Sequence, residues 1–114
     1  MSKVYSIHRA EPRPGVSVKD FEQFLSELAK GSPKMEGWST TILKGDRGEG
    51  KGKYVIIHEF DSVVVRNRYF PVEDGEASAD AQPVFDRPDI ADRFASMIIS
   101  TPELPYTDYV AMFS

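Results

Sequence analysis

The segment Tyr54–Phe60, with the sequence Tyr-Val-Ile-Ile-His-Glu-Phe, is the most strongly strand-forming stretch of this 114-residue chain. Five of its seven residues are β-branched or aromatic, and such residues favour extended structure. A polar, glycine-rich stretch at 45–53 precedes it, and a second run rich in β-branched and aromatic residues occupies 37–44. The two runs therefore predict a β-hairpin at the centre of the fold.

The flanking sequence predicts helices on both sides of this hairpin and strands at the two ends of the fold. Residues 3–10 read as a strand that ends in a proline-rich stretch. Ser17 then opens an amphipathic helix that ends at Gly31; its apolar positions are Val18, Phe21, Phe24, Leu25 and Leu28. A second helix begins at Asp61 or Ser62 and stops at Pro71, and another runs from Pro88 to about Ile99. The last strand spans 106–113.

The predicted order is β-α-β-β-α-β, with the second helical part interrupted by a loop insertion at about 72–88. This order predicts an α+β fold of the ferredoxin-like type, in which one four-stranded antiparallel sheet carries its helices on one face. Residues 1–114 then form a single domain. The other face of the sheet has no cover within the chain, so we expect another surface to bury it.

Composition excludes several classes of function. The chain has no cysteine, which removes disulfides, thiolate nucleophiles and cysteine metal sites. A net charge of −4 argues against general nucleic-acid binding. No apolar run is long enough to span a membrane, and Met1 leads directly into a strand without a signal-peptide core. These features predict a cytoplasmic protein with no nucleic-acid or membrane partner.

The whole pattern resembles the dimeric α+β barrel superfamily, which includes antibiotic-biosynthesis monooxygenase-like, EthD-like and stress-responsive barrel proteins. The features that carry the resemblance are the opening strand 4–9, the Arg13-Pro14-Gly15 element, the Phe21/Phe24/Leu25 helix, the central hairpin and the short final strand. The resemblance implies a homodimer whose two sheets pack face to face around a central space. It implies no specific reaction, because this fold carries many activities.

Strand alternation sorts the candidate site residues. In the third strand, Val55 and Ile57 suit the helix-covered face, so Tyr54, Ile56, His58 and Phe60 are expected to point into the barrel. In the first strand, Tyr5 and Ile7 are preferred for the helix side, which leaves Ser6 and His8 facing inward; the reverse orientation is nearly as favourable, because Val4 is also a good core residue. We expect both histidines to line the barrel, about 13 Å apart if Ser6 pairs near Ile56.

His58 and His8 are the candidate catalytic residues, as general acid or base groups, since histidine titrates near neutrality. The alternative is a pair of half-buried structural histidines, and no supporting ligand spacing predicts a metal site. The candidate substrate-binding residues are Tyr54, Trp38, Arg66 and Tyr109. Arg66 and Arg68 could grip a carboxylate or phosphate, or they could pair with the acids of the insertion: Glu73, Asp74, Glu76 and Asp80.

Two functions of different class follow. The first is a small-molecule-binding barrel enzyme, a cofactor-independent monooxygenase, isomerase or cyclase acting on an aromatic or apolar substrate without a cofactor. The second is a non-catalytic binding or stress-responsive barrel. An enclosed space of about 300 Å³ or more beside a histidine would favour a ligand. Dimerisation is expected through an apolar sheet face carrying Ile56, Phe60, Val110 and Met112.

Overall fold

The computed structural model describes residues 2–73, 75–100 and 103–113. Within these ranges the elements follow in the order β1 (Val4–Pro12), α1 (Val18–Lys30), β2 (Trp38–Lys44), β3 (Tyr54–Phe60), α2 (Val63–Tyr69), α3 (Gln82–Phe85), α4 (Pro88–Met97), β4 (Ile98–Ile99) and β5 (Tyr106–Val110). One turn of 3-10 helix, Ala79–Ala81, precedes α3.

The strands form one antiparallel sheet in the order β2-β3-β1. The remaining edge of β1 is shared, because β5 pairs with its first half and β4 pairs with Glu11 and Pro12 at its end. This is the ferredoxin-like α+β arrangement that the element order predicts. The short strand β4 was not predicted: the last helix ends at Met97, and Ile98–Ile99 turn into the sheet.

Local signals position α1 as the sequence indicates. The Ser17 hydroxyl accepts a hydrogen bond from the backbone N–H of Asp20 at 3.1 Å, which caps the first turn. At the other end, Gly31 has an ordinary right-handed conformation. A side chain there would collide with the guanidinium of Arg87, which donates to the carbonyls of Leu28 at 2.8 Å and Glu27 at 3.1 Å. The lack of a side chain at Gly31 therefore leaves room for Arg87 to cap the carbonyl end of α1.

The insertion at 72–88 is more structured than a loop. The 3-10 turn and α3 lie inside it, and Ala81 is completely buried. The prediction of an unstructured loop is therefore wrong for the second half of the segment. Elements of three and four residues are too short to show helical periodicity, so the sequence pattern could not reveal them.

The orientation expected for the third strand is reversed. Tyr54, Ile56 and Phe60 are buried beneath the helices, whereas Val55 and Ile57 point to the other face. The apolar stripe of α1 packs on the larger residues of β3, and this contact fixes the orientation. In β1 the alternative orientation is the observed one, because Val4, Ser6 and Ala10 are the buried residues.

The helix-covered face carries two hydrophobic clusters. The first, which we call the α1–α4 core, consists of Ala10, Phe21, Phe24, Leu25, Tyr54, Ile56, Ile90 and Ile98. The second, the Trp38 core, consists of Val4, Trp38, Phe60, Tyr69 and Ala81. Ser6 and His58 lie between these two clusters along β1 and β3, so a polar row interrupts the apolar face.

The opposite face carries Tyr5, Ile7, Val55 and Ile57, which are half-buried by their neighbours and belong to neither cluster. The residues expected on it were therefore wrong for Ile56 and Phe60. The expectation was also wrong for Val110, which pairs with the buried Val4 and shares its face. No helix in the described ranges is long and apolar enough to cross a bilayer.

Candidate active site

The candidate site is a cross-strand row on the helix-covered face. Ser6 in β1 lies directly opposite His58 in β3 on one side and opposite Asp108 in β5 on the other. Thr40 in β2 extends the row beyond His58. Residues at paired positions of neighbouring strands project to the same face, so the row brings together side chains from four strands.

The two histidines are in ring contact. Their centroids are 5.1 Å apart and their planes are nearly perpendicular, at 86°. Both histidines share one face, as expected, but it is the helix-covered face of the buried Val4 and Ile56 and not the barrel face, so the expectation that they line the barrel is wrong. The expected separation of about 13 Å is also wrong. The register pairs Ser6 with His58 and not with Ile56, and this shift of two residues makes the histidines diagonal neighbours.

His58 has a defined hydrogen-bond pattern on one ring nitrogen. Nδ1 accepts the indole N–H of Trp38 at 3.1 Å and lies 2.9 Å from Oγ1 of Thr40. Burial, together with the smaller effect of the neighbouring His8, lowers the pKa of His58 to about 4, and the charge of Asp108 opposes this shift. His58 is therefore neutral at neutral pH.

His8 stands in a more polar setting. Its Nε2 lies 3.0 Å from the hydroxyl of Ser6, and its ring stacks on Tyr106 with a centroid distance of 5.1 Å and an angle of 15°. Burial lowers the pKa of His8 below its ordinary value, and the charge of Asp108 opposes that effect. His8 is thus a neutral imidazole beside a carboxylate that would stabilise its protonated form.

Asp108 links the row to helix α2. Nη1 of Arg66 donates to Oδ2 at 2.5 Å, and both side chains are about three-quarters buried, with exposures of 22% and 25%. Oδ1 of Asp108 is buried and has no hydrogen-bond partner among the described residues. Nothing in the local sequence marks Asp108 as a site residue, because only the pairing of β5 with β1 brings it close to the histidines.

The predicted site residues divide into two groups. We call the set Ser6, His8, Thr40, His58 and Asp108 the histidine row. Trp38 contacts this row through His58, and Arg66 contacts it through Asp108. Tyr54 lies in the α1–α4 core, where its hydroxyl donates to Glu22 at 2.5 Å, and Tyr109 projects from the opposite face with 55% exposure. The structure does not bring these two tyrosines to the histidines.

The predicted pairing of the α2 arginines with the insertion holds for one of them. Nε of Arg68 donates to Asp80 at 3.0 Å, whereas Arg66 pairs with Asp108. Asp74 lies outside the described residues. Arg66 therefore belongs to the histidine row and Arg68 to the insertion.

Two open grooves flank the site region without including either histidine. The larger, of about 510 Å³, is lined by Lys34, Met35, Glu36, Gly37, Trp38, Ser39 and Asp61. The smaller, of about 270 Å³, runs between α1 and β2 beside Tyr54. Trp38 is thus shared between the larger groove and the histidine row. In the part of the chain that the structure describes, no group of three or more histidine, cysteine or acidic residues could hold a metal ion.

Comparison with known proteins adds a fold-level relationship. No protein-family model and no curated protein matches the chain. Among solved structures, SnoaB, a cofactor-independent oxygenase from Streptomyces nogalater, superposes with a TM-score of 0.57 at 14% identity, covering 100% of this chain and 97% of SnoaB. A dimeric protein of unknown function with a ferredoxin-like fold, from Bacteroides fragilis, gives 0.58 at 12% identity, covering 94% of each chain.

These relationships confirm the fold that the sequence resemblance implies. The chain has a ferredoxin-like α+β fold, which it shares with these two structures. Identities of this size establish fold alone, and no subfamily is assigned.

Proposed function

We propose that the chain is a small-molecule-binding enzyme that moves a proton to or from an aromatic or apolar substrate at the histidine row. The observation that carries this proposal is the contact between two neutral histidines beside the Asp108–Arg66 pair. A neutral imidazole is a competent base at neutral pH, and a nearby carboxylate stabilises the imidazolium that forms. Clusters of titratable groups with shifted pKa values are typical of catalytic sites.

The substrate class follows from the surroundings of the histidines. Trp38 and Tyr106 contact the two rings, and Trp38 also lines the larger groove. Flat aromatic walls favour a planar, apolar ligand. Arg66 is already paired with Asp108, so the row offers no unpaired cation to a strongly anionic substrate.

Oxygenation is the specific reaction that we favour within this class. Monooxygenation, isomerisation and cyclisation can all begin with the removal of a proton from a phenol or an enolisable carbon. In a cofactor-independent oxygenation the resulting anion supplies the electrons to dioxygen. The fold similarity to SnoaB, described as a cofactor-independent oxygenase, supports this choice.

A non-catalytic binding barrel is the second candidate. The hydrogen bonds that Nδ1 of His58 makes with Trp38 and Thr40 favour it, because they satisfy the ring from within the protein. The absence of either histidine from both grooves points the same way.

Hydrogen–deuterium exchange at C1 of 2-tetralone, an enolisable aryl ketone, separates the two candidates. We expect the native protein to accelerate exchange, and we expect His8→Phe, which keeps a ring on Tyr106, to lose on the order of 100-fold. Arg9→Gln is the matched control, because Arg9 is exposed and pairs with Glu11. Binding without acceleration would favour the binding barrel, and dioxygen uptake would identify an oxygenase.

We also propose a homodimer formed through the face that carries Tyr5, Ile7, Val55 and Ile57. An apolar sheet face of this kind needs cover in a two-layer fold. The similarity to a dimeric ferredoxin-like protein supports the same assembly.

A further inference from the structure

We infer that Trp38 is a positioning residue that fixes His58 as a hydrogen-bond donor and leaves His8 as the proton acceptor of the site. The inference deepens the proposed function and rests on it for the chemical roles. Its structural content, which ring nitrogen carries the proton, can be measured without any substrate.

The indole of Trp38 determines which nitrogen of His58 carries the proton. An indole N–H can only donate, so the Nδ1 atom that it meets at 3.1 Å must accept. Neutral His58 therefore carries its proton on Nε2. Moving that proton to Nδ1, or adding a second proton there, would set two N–H groups against each other. Both changes are unfavourable while Trp38 keeps its position.

Nε2 of His58 is then the donor that the site can offer. The two hydrogen bonds of His58, with Trp38 and Thr40, both lie on Nδ1, at the opposite side of the ring from this atom. A substrate oxygen that gains negative charge as its proton leaves is the kind of group that such a fixed donor stabilises. His58 would thus bind the developing anion without exchanging a proton itself.

His8 has surroundings that tolerate both of its protonation states. The hydroxyl of Ser6 can accept from Nε2 or donate to it, so this contact at 3.0 Å persists when the ring is protonated. The charge of Asp108 favours the imidazolium, and the face of Tyr106 stacked on the ring does so as well. A substrate proton is therefore expected to move to His8, which becomes a cation as the substrate becomes an anion.

The charged and titratable groups around His8 and His58 support these roles, with His8 as the proton acceptor and His58 as the hydrogen-bond donor. They are Asp108 on β5, Arg66 on α2 and Tyr106 beside His8, in addition to the two histidines themselves. Arg66 donates to one oxygen of Asp108 and so orients that side chain between α2 and β1.

Nitrogen-15 NMR of the imidazole rings tests the inference on the native protein. At neutral pH we expect Nδ1 of His58 to resonate as an unprotonated nitrogen and Nε2 as a protonated one. During an acid titration we expect His8 to take up its proton at higher pH than His58. A proton on Nδ1 of His58, or protonation of His58 before His8, would overturn the inference.

Three variants identify the residue responsible. Trp38→Phe keeps a ring in the Trp38 core and removes the donor, so most of the His58 population should move its proton to Nδ1, facing Thr40. Thr40→Val and Tyr69→Phe should leave the proton on Nε2; the second disturbs the same aromatic cluster without touching His58. A change of tautomer in Thr40→Val would assign the role to Thr40 and overturn ours. Thr40 is exposed, so this variant decides the point even where Trp38→Phe folds poorly.

These measurements separate the failure of this inference from a failure of the proposed function. The tautomer and the order of protonation are properties of the free protein. The exchange assay with 2-tetralone reports catalysis independently of them.

Discussion

His58 and Asp108 lie on the two strands that flank β1, and each is directly opposite Ser6. Two strand spacings place their backbones roughly 10 Å apart, with only a serine side chain between them in that row. His8 lies two residues further along β1, and its Nε2 is within hydrogen-bond distance of the Ser6 hydroxyl. From there it interacts electrostatically with both Asp108 and His58. Side chains from positions 6, 58 and 108 of the chain thereby form one polar site.

The stability of the protein should fall in acid because of His58. Its pKa is about 4 when folded and 6.5 in the unfolded reference, so the unfolded state binds more protons between these values. The stabilisation is present above pH 6.5 and is lost as pH falls through 4, by about 3 kcal/mol in all. Urea unfolding at several pH values should show this loss. The variant His58→Gln should have a flatter dependence, and an equal slope in both proteins would contradict the low pKa.

Removing Arg66 should destabilise the fold more than removing the whole ion pair. Arg66→Leu leaves the carboxylate of Asp108 three-quarters buried without its donor, at a cost of about 1–3 kcal/mol. The double variant Arg66→Leu/Asp108→Leu removes the unpaired charge and should recover part of that loss. Chemical denaturation of both single variants and the double variant measures the coupling. Additive losses would show that the pair contributes nothing.

The homodimer should depend on the centre of the uncovered sheet face. Ile57→Lys places a charge there, so light scattering should change from dimer to monomer. Val64→Lys is the matched control, because Val64 is a 72% exposed residue of α2 on the helix side. A native protein that scatters as a monomer at micromolar concentration would rule out the dimer.

The two halves of the insertion should differ in hydrogen exchange. The amides of Ala81 and Asp86 are bonded to the carbonyls of Ser78 at 3.0 Å and Gln82 at 2.8 Å, and Ala81 is buried in the Trp38 core. Exchange followed by mass spectrometry should therefore be slower in peptides covering 79–86 than in those covering 72–76. Equal, rapid exchange in both would show that the 3-10 turn and α3 are not stably formed.

The sequence predicts the elements and their order because each is marked by a local signal. The Ser17 cap, the stripe of α1 and the β-branched runs of the hairpin depend only on neighbours in sequence. The same alternation also predicts that His8 and His58 share a face once β1 and β3 pair with the observed parity.

Orientation and register are not determined locally. Both faces of β3 carry large aliphatic residues, Ile56 on one and Ile57 on the other, so alternation alone cannot choose the face that meets α1. The register of β1 on β3 sets the distance between the two histidines, and the pairing of β5 with β1 places Asp108 opposite Ser6. The candidate site therefore depends on strand pairing that single-sequence patterns do not contain.

The native protein can be titrated with 2-tetralone while NMR follows the ring-carbon protons of its two histidines, which is the sharpest test of the histidine row as the ligand site. We predict that the signals of His8 and His58 move together and saturate at the same ligand concentration. If the ketone binds, as judged by shifts elsewhere in the chain, while both histidine signals stay unchanged, the histidine row is not the ligand site.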